Sequence, residues 1–544
     1  MNSFTIRATV VSALALLFLL PGCTDHYKEL NTPDREIVAS QVDATTLGQA
    51  FARSQWAGMH AGTGVGHQIF KSLFADLYAQ YFATTAPYFD SDQYIEVGDW
   101  IDSGWNNFYS SAAPQLKFVR DFTRKNDMPV RYAAANIWRV EIYQRMTDYF
   151  GPIPYSEFGN GEESVPYDSQ KEIYMDFFAR LDSSYQTLSN NPGGTAFGSS
   201  DLLYSGDVKQ WMRFGNSLQL RAAMRIRHVM PEKAKKEAEE AISRGVMTSN
   251  GHNASLLTTQ NNRNAYGIIT NWGEFRMSSS MESLLEGYND PRKSAYFSPS
   301  VNGDQDGDGS PFEGMRNGLP RSSKGTKLNS TYSDMATRFL NKNRGGSNPP
   351  VRVMNAAEVY FLRAEGALLG WDMGGTAEEL YNKGIRMSLS EARVGASQQE
   401  IEEYINSTST PAPPSDRWNS GPMSDIPVDF QTGADFQTKL EQIITQKWLA
   451  LYPVSLEAFA ELRRTGYPTL YPIIESRNTN LENDDIFRRM TFVISEYNNN
   501  TKATENAIPL IGSPEGNGGP DQNDTKVWWD ARTAPATQGL GQQQ

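Results

Sequence analysis

The 544-residue chain carries 50 Lys and Arg against 63 Asp and Glu, which gives a formal net charge of −13 at pH 7. Nucleic-acid binding needs clustered Lys and Arg to meet the phosphates, so this acidic balance excludes a basic nucleic-acid binder. The composition, 39% apolar and 21% charged, is that of a globular protein. The length allows several packed units or one large helical array.

The N-terminus predicts an export signal. Residues 8–20 are almost entirely apolar, and the single cysteine, Cys23, follows them closely. A helix over 8–20 would cover only about 20 Å, short of the ~30 Å hydrocarbon core, so a cleavable signal is favoured over a membrane span. The Leu-x-Gly-Cys ending resembles a bacterial lipobox, which predicts a signal peptide over 1–22 and a lipid anchor on Cys23. The alternative is an ordinary secretory peptide cleaved elsewhere.

Most of the chain after Cys23 has the apolar spacing of helices. Apolar residues recur every three or four positions over 354–369, a Gly-rich break follows, and a second helix is predicted over 377–389. The same hairpin plan is predicted at two more places, 131–149 with 169–188, and 207–226 with 233–245. Such hairpins resemble tetratricopeptide units, which bury their apolar faces only by stacking. We therefore predict a mainly α protein with stacked tetratricopeptide-like hairpins as its scaffold.

Three stretches lack a helical period: 248–350, 405–437 and 500–544. They are rich in Gly, Asn, Ser and Pro, and loops of this length are usually functional or disordered. We predict that they form a second, irregular and loop-rich lobe packed on the helical scaffold, within a single domain over 23–544.

Eight segments then follow one another along the chain: the Cys23 lipobox with ELNTPD, TDYFGPIPYSE at 147–157, PYDSQKEIY at 166–174, WMRFGNSLQLRAAMRIR at 211–227, NDPRKSAYF at 289–297 with GMRNGLP at 314–320, AEVYFLRAEGALLGW at 357–371, ITQKWLALYPVSLEAFAELRRTGYP at 444–468, and TKVWWD at 525–530. In this order they resemble the SusD/RagB family of outer-membrane nutrient-binding lipoproteins. The runs at 357–371 and 444–468 look most like its SusD-like branch.

The resemblance implies a non-enzymatic, surface-exposed lipoprotein held to the outer membrane by the lipid on Cys23. It also implies an oligosaccharide ligand and a partner, a SusC-like TonB-dependent transporter on which the protein forms a lid. Three alternatives stay open: a peptide-binding uptake lipoprotein of the same family, an adaptor that contributes only its helical surface, and a lipid-anchored glycoside hydrolase. The sequence shows no catalytic motif, but it does not reveal which carboxylates pair in space.

Sugar recognition needs aromatic faces for the ring and polar side chains for the hydroxyls. The stretch 82–100, which follows a predicted helical run over 69–81, is the best match because its predicted loop combines Asp, Ser and Gln with four aromatics: Tyr88, Phe89, Tyr94 and Trp100. The family often uses the loop after an early helix. Two more candidates, Trp272 and Tyr296, fall in the predicted irregular lobe, and for each aromatic the alternative is burial in the core. Five tryptophans are predicted core residues: Trp138, Trp211, Trp448, Trp528 and Trp529.

A possible cofactor is calcium, at Asp304, Asp306 and Asp308. These residues alternate and precede Gly309, as oxygen ligands do in a calcium-binding loop. However, Met315 stands at the twelfth position, where an EF-hand needs a bidentate Glu, and no helices are predicted beside the loop. The alternative is a plain acidic surface turn.

Overall fold

The computed structural model describes residues 42–60, 64–305, 307–336, 348–414, 416–512 and 519–532. The predicted signal peptide, Cys23 and Asp306 lie outside these residues. The chain divides into two compact units, Met1–Leu47 and Gly48–Gln544. Only residues 42–47 of the first unit are described, at the start of a helix.

The second unit is mostly helical. In chain order the α-helices are α1 (Ala44–Gly58), α2 (Gly64–His67), α3 (Ala75–Tyr78), α4 (Gly98–Asn107), α5 (Ala113–Lys125), α6 (Pro129–Phe150), α7 (Gln170–Ser189), α8 (Val208–Arg225), α9 (Pro231–Arg244), α10 (Tyr266–Ile269), α11 (Ser279–Gly287), α12 (Lys293–Tyr296), α13 (Ala356–Leu368), α14 (Ala377–Leu389), α15 (Gln398–Ile405), α16 (Phe436–Leu451), α17 (Ser455–Thr465), α18 (Ile494–Asn499) and α19 (Thr501–Ala507). No helix among the residues described is long and apolar enough to cross a bilayer.

The predicted hairpins are confirmed. Helix α6 packs on α7, α8 packs on α9, and α13 packs on α14. Further contacts join α7 to α8, and α13 to both α8 and α16, so the pairs form one continuous scaffold. The five tryptophans predicted to be core residues are all at most 5% exposed.

Local sequence signals explain where these helices begin and end. The Asp207 side chain accepts hydrogen bonds from the amides of Lys209 and Gln210 and so caps the start of α8. Thr376 and Glu379 form a reciprocal capping box at the start of α14. Gly466, with φ of 85°, ends α17 in the left-handed region that glycine adopts without strain.

A network of buried charges joins five scaffold helices, α6, α8, α13, α16 and α17. The closest pairs, with N–O distances of 3.0 Å or less, are Arg221 with Glu141 and Glu358, Arg225 with Glu457, Arg464 with Glu365 and Glu461, and Lys447 with Glu461. Each of these side chains is at most 8% exposed. Because an unpaired buried charge is costly, each residue of the network depends on the others.

Strands are short and form three two-stranded antiparallel sheets. They are β1 (Phe82–Thr84) with β5 (Phe275–Met277), β2 (Ile153–Pro154) with β3 (Tyr167–Asp168), and β4 (Ala254–Leu256) with β6 (Val351–Met354). The stretches predicted to lack a helical period contain short elements: α10, α11, α12, β4 and β5 lie within 248–350, and α19 lies within 500–544. The helical run predicted over 69–81 is interrupted, with a π-helical turn at Gln68–Ser72 followed by α3.

Candidate functional site

The pairing of β1 with β5 places two exposed aromatic residues on neighbouring segments. Thr84 pairs with Phe275 at the end of β1, so the loop that follows β1 lies beside the turn that precedes β5. That loop carries Tyr88, which is 62% exposed, and the turn carries Trp272, which is 42% exposed. Large aromatic side chains are seldom exposed to this degree without a binding role when they lie together.

Glu274 connects the two segments. Its Oε1 accepts a hydrogen bond from the Tyr88 hydroxyl at 2.6 Å, and its Oε2 accepts one from Nε2 of the buried Gln68 at 2.5 Å. The hydrogen bond to Glu274 raises the pKa of Tyr88 to about 12, and partial burial adds to this shift. The hydroxyl is therefore held by Glu274 while most of the Tyr88 ring stays open to solvent.

Glycines make room for the Trp272 ring and its turn. A Cβ atom added to Gly64 would lie only 3.0 Å from Cη2 of Trp272. The Trp272 ring therefore packs against Gly64, where a larger residue would crowd it. Gly273 has φ of 71° and lies close to the Asn329 amide. Asn329 in turn accepts a hydrogen bond from the Thr85 hydroxyl at 2.7 Å, which ties the turn to the Tyr88 loop.

Ion pairs fix the rest of the Tyr88 loop, residues 85–97. Asp90 lies 2.7 Å from Nε of Arg321 and 2.8 Å from Nη1 of Arg477. The Nζ of Lys324 donates to Asp92 at 2.6 Å, and both side chains are fully buried. A loop anchored in this way is preorganised, so a ligand would lose little free energy in ordering it.

The family model described as SusD-like, "Susd and RagB outer membrane lipoprotein", matches residues 29–530. The chain belongs to the SusD/RagB family. Among solved structures, a chitin-binding SusD homologue from Flavobacterium johnsoniae is 34% identical, with a TM-score of 0.81 over 90% of this chain and 99% of that chain. A SusD homologue from Bacteroides thetaiotaomicron is 32% identical, with a TM-score of 0.79 over 90% and 99%. A further structure, named a chitin-binding protein, is 29% identical, with a TM-score of 0.73 over 89% and 100%. No curated protein matches the chain.

The SusD-like fold buries three of the six aromatics that the sequence proposed as ligand contacts. Phe89 and Tyr94 are each 7% exposed, and Tyr296 is 0% exposed. The hydroxyl of Tyr94 donates to the Asp485 carbonyl at 2.9 Å, and that of Tyr296 donates to the Leu449 carbonyl at 2.9 Å. Their rings lie in the interior, so we leave them out of the candidate site.

Phe89 lies behind the candidate site, between Tyr88 and Trp100. The Phe89 ring meets Tyr88 edge-on at 4.7 Å and Trp100 edge-on at 5.6 Å. Trp100 is partly exposed but lies on α4, not in the loop predicted over 82–100. Phe89 therefore forms a buried base between two aromatic residues that reach the surface. Sequence reasoning missed Gln68, Glu274 and Asn329, because only the fold brings these common polar residues to the aromatics.

The calcium prediction stays a prediction in this SusD-like protein. Asp304 is exposed, and its two carboxylate oxygens accept the amides of Gly307 at 2.7 Å and Gly309 at 2.9 Å. Asp308 accepts the Ser310 amide at 2.7 Å. Across the part of the chain that the structure describes, no group of three or more His, Cys, Asp or Glu side chains is arranged to hold a metal ion.

Glu96, in the Tyr88 loop, should make the stability of this SusD-like protein depend on pH. Burial raises the pKa of Glu96 to about 7 from its ordinary 4.5, despite hydrogen bonds from Thr491 and Asn523. A raised carboxyl pKa favours the folded state at low pH, and this contribution disappears as the pH rises through about 7. Glu96→Gln mimics the neutral acid, so we expect the melting temperature of the wild type to fall relative to the variant between about pH 5 and pH 8. Parallel melting curves across that range would contradict the assignment.

Proposed function

We propose that the protein is a non-enzymatic, cell-surface glycan-binding lipoprotein that passes oligosaccharides to a SusC-like TonB-dependent transporter in the outer membrane. The observation that carries the glycan proposal is the presence of two exposed aromatics, Tyr88 and Trp272, on segments that the Tyr88–Glu274 hydrogen bond holds together. Aromatic faces suit the C–H side of a sugar ring, and the remaining surface of the carboxylate and neighbouring amides suits its hydroxyls. The anchor, Cys23, and the transporter partner are proposed from membership of the family.

The related structures indicate which glycan to test first. The Flavobacterium johnsoniae relative is described as chitin-binding, as is a second structural relative. We therefore propose β-1,4-linked N-acetylglucosamine oligomers as the preferred ligand class. Their acetamido groups combine a methyl group with a hydrogen-bonding amide, and a site that mixes aromatic rings with carboxylate and amide groups can meet both.

A ligand panel tests this function. The mature chain from residue 23, purified in detergent, is titrated with chitohexaose, cellohexaose, maltohexaose and mixed peptides by calorimetry. We expect chitohexaose to bind with micromolar affinity, about −8 kcal/mol, and to be recovered uncut. Binding of peptides alone would favour the peptide-uptake alternative, and cleaved sugar would favour a hydrolase. Recovery of a TonB-dependent transporter with the protein from its native membrane tests the delivery role, and its absence would count against that role.

A further inference from the structure

The structure contains a cavity of about 420 Å³ that shares no lining residue with the Tyr88–Trp272 site. It lies between α6, β4, β6 and the segment that follows α14, and Pro350 and Ala392 on its rim are exposed. A volume of this size is within the range of small-molecule sites. The cavity is therefore open to solvent and large enough for a monosaccharide.

The walls of this cavity carry four cationic side chains and one carboxylate. The cations are Lys71, Arg145, Arg352 and Arg393, and the carboxylate is Glu391. Glu391 is already engaged, because it accepts from Nη1 of Arg352 at 2.7 Å and from Nε of Arg393 at 2.5 Å. Although burial alone would raise the pKa of Glu391, these two guanidinium groups hold it at about 2. The carboxylate thus has little capacity left for the other two cations.

Arg145 has no carboxylate within ion-pairing distance among the residues that the structure describes, although Glu141 and Glu457 act on it from farther away. Its one hydrogen bond to them runs from Nη1 to the thioether Sδ of Met59, a weak acceptor, and no carboxylate lies within 4.0 Å. The neighbouring acids are committed elsewhere, since Glu141 pairs with Arg221 at 3.0 Å and Glu457 pairs with Arg225 at 2.6 Å. Burial lowers the pKa of Arg145, while the more distant carboxylates of Glu141 and Glu457 act in the opposite direction.

Two sequence segments outside the described residues, 61–63 and 337–347, contain no Asp or Glu. Lys71 has neutral partners at close range, because its Nζ donates to the Tyr266 hydroxyl at 2.6 Å and to the Pro453 carbonyl at 2.9 Å, while its nearest carboxylate, on Asp76, is 3.9 Å away. An anion from solution would therefore find two cationic groups without close carboxylate partners.

His67 also lines the cavity, but its free ring nitrogen is closed to solvent. Its Nδ1 lies 3.3 Å from the His60 carbonyl, and a carbonyl only accepts, so Nδ1 carries the proton and Nε2 is a bare acceptor. Nε2 is buried, has no hydrogen-bond partner among the residues described, and belongs to a side chain only 4% exposed. Asn253 and Ser255 add further polar groups to the lining. Such groups suit hydroxyls held next to a carboxylate.

We propose that this cavity binds a monosaccharide acid, with the carboxylate of a hexuronate against Arg145 and its hydroxyls toward the polar side chains of Asn253 and Ser255. The site is separate from the proposed glycan surface and does not depend on it. A guanidinium group recognises a carboxylate through paired N–H donors, which glucose cannot engage in the same way.

Calorimetry on the mature chain in detergent, with D-glucuronate, D-galacturonate and D-glucose, tests this site. We expect at least one hexuronate to bind at one site, glucose to bind there undetectably, and Arg145→Gln to weaken hexuronate binding by about tenfold or more. Arg139→Gln is the matched control, because Arg139 lies on the same helix α6, is buried, and contacts Tyr155 instead of the cavity. Arg139→Gln and Tyr88→Ala should both leave hexuronate binding unchanged.

Melting temperatures measured in parallel separate loss of binding from loss of folding. The proposal is overturned if neither hexuronate binds at millimolar concentration, if glucose binds as well as its acid, or if Arg145→Gln binds hexuronate like the wild type. An equal loss in Arg145→Gln and Arg139→Gln would also overturn it, since that pattern assigns the effect to α6 in general.

Discussion

Replacing Arg221 by leucine should lower the free energy of unfolding by about 3–5 kcal/mol. Arg221 is 3% exposed, and it donates to both oxygens of Glu358, at 2.7 and 2.9 Å, and to Glu141 at 3.0 Å. Leucine would leave two carboxylates buried in the scaffold without a guanidinium group. Urea denaturation of the wild type and the variant at pH 8 measures the difference.

Two controls test the Arg221→Leu prediction: the pH dependence of the loss of stability, and a substitution in a more exposed ion pair. Burial already raises the pKa of Glu358 and Glu141, so without Arg221 both should take up protons, and the deficit should shrink toward about pH 5. Arg386→Leu breaks the exposed pair with Glu402 and should cost only about 0–1 kcal/mol. A similar small cost for Arg221→Leu would show that the network contributes little to stability.

Replacing Trp272 by alanine should weaken chitohexaose binding by about 2 kcal/mol, or ~30-fold, the loss typical of a central aromatic contact. The ring is 42% exposed in the free protein and its edge rests on Gly64, so it offers a fixed surface to a sugar. Tyr88→Ala should give a comparable loss, since it removes the other exposed ring. Calorimetric titration against the wild type measures both.

Two further variants separate the contribution of the aromatic rings to glycan binding from that of the Tyr88 hydrogen bond and from the loss of an exposed tryptophan elsewhere. Tyr88→Phe keeps the ring but loses the hydrogen bond to Glu274, so we expect a loss of only about 1 kcal/mol. Trp418→Ala removes a tryptophan of similar exposure, 39%, which lies under the Arg417 guanidinium, and should bind like the wild type. If Trp418→Ala and Trp272→Ala were equally impaired, the assignment of the site to the β1–β5 edge would be wrong.

The long helices could be predicted from sequence because their signals are local. The helix predicted over 377–389 matches α14, and its capping residues lie next to it in the chain. Helix α11 escaped prediction, since its nine residues in a Ser-rich stretch give too short a pattern to separate helix from loop. Its start is nevertheless encoded locally, where the Ser278 side chain accepts the Met281 amide.

The candidate site could be predicted only in part. Aromatic content selected the segments that carry Tyr88 and Trp272, but it did not separate the exposed Tyr88 from the buried Phe89 beside it. That difference depends on contacts far away in sequence, such as Phe275, whose ring stacks with Phe89 at 6.3 Å. Glu274 has no signal of its own in the sequence, because its role arises only when β5 pairs with β1.

Gln68 and Tyr88 both donate hydrogen bonds to Glu274, and this arrangement limits how the Tyr88–Trp272 site could be transplanted. An engineer who grafts residues 85–97 onto another scaffold would carry over the Tyr88 ring without the carboxylate that holds its hydroxyl or the buried amide that holds the carboxylate. The grafted ring would sample many rotamers and lose affinity through their entropy. A graft that keeps the binding surface would need three segments together: the π-helical turn at Gln68–Ser72, the Tyr88 loop and the turn before β5. These segments span more than 200 positions of the sequence.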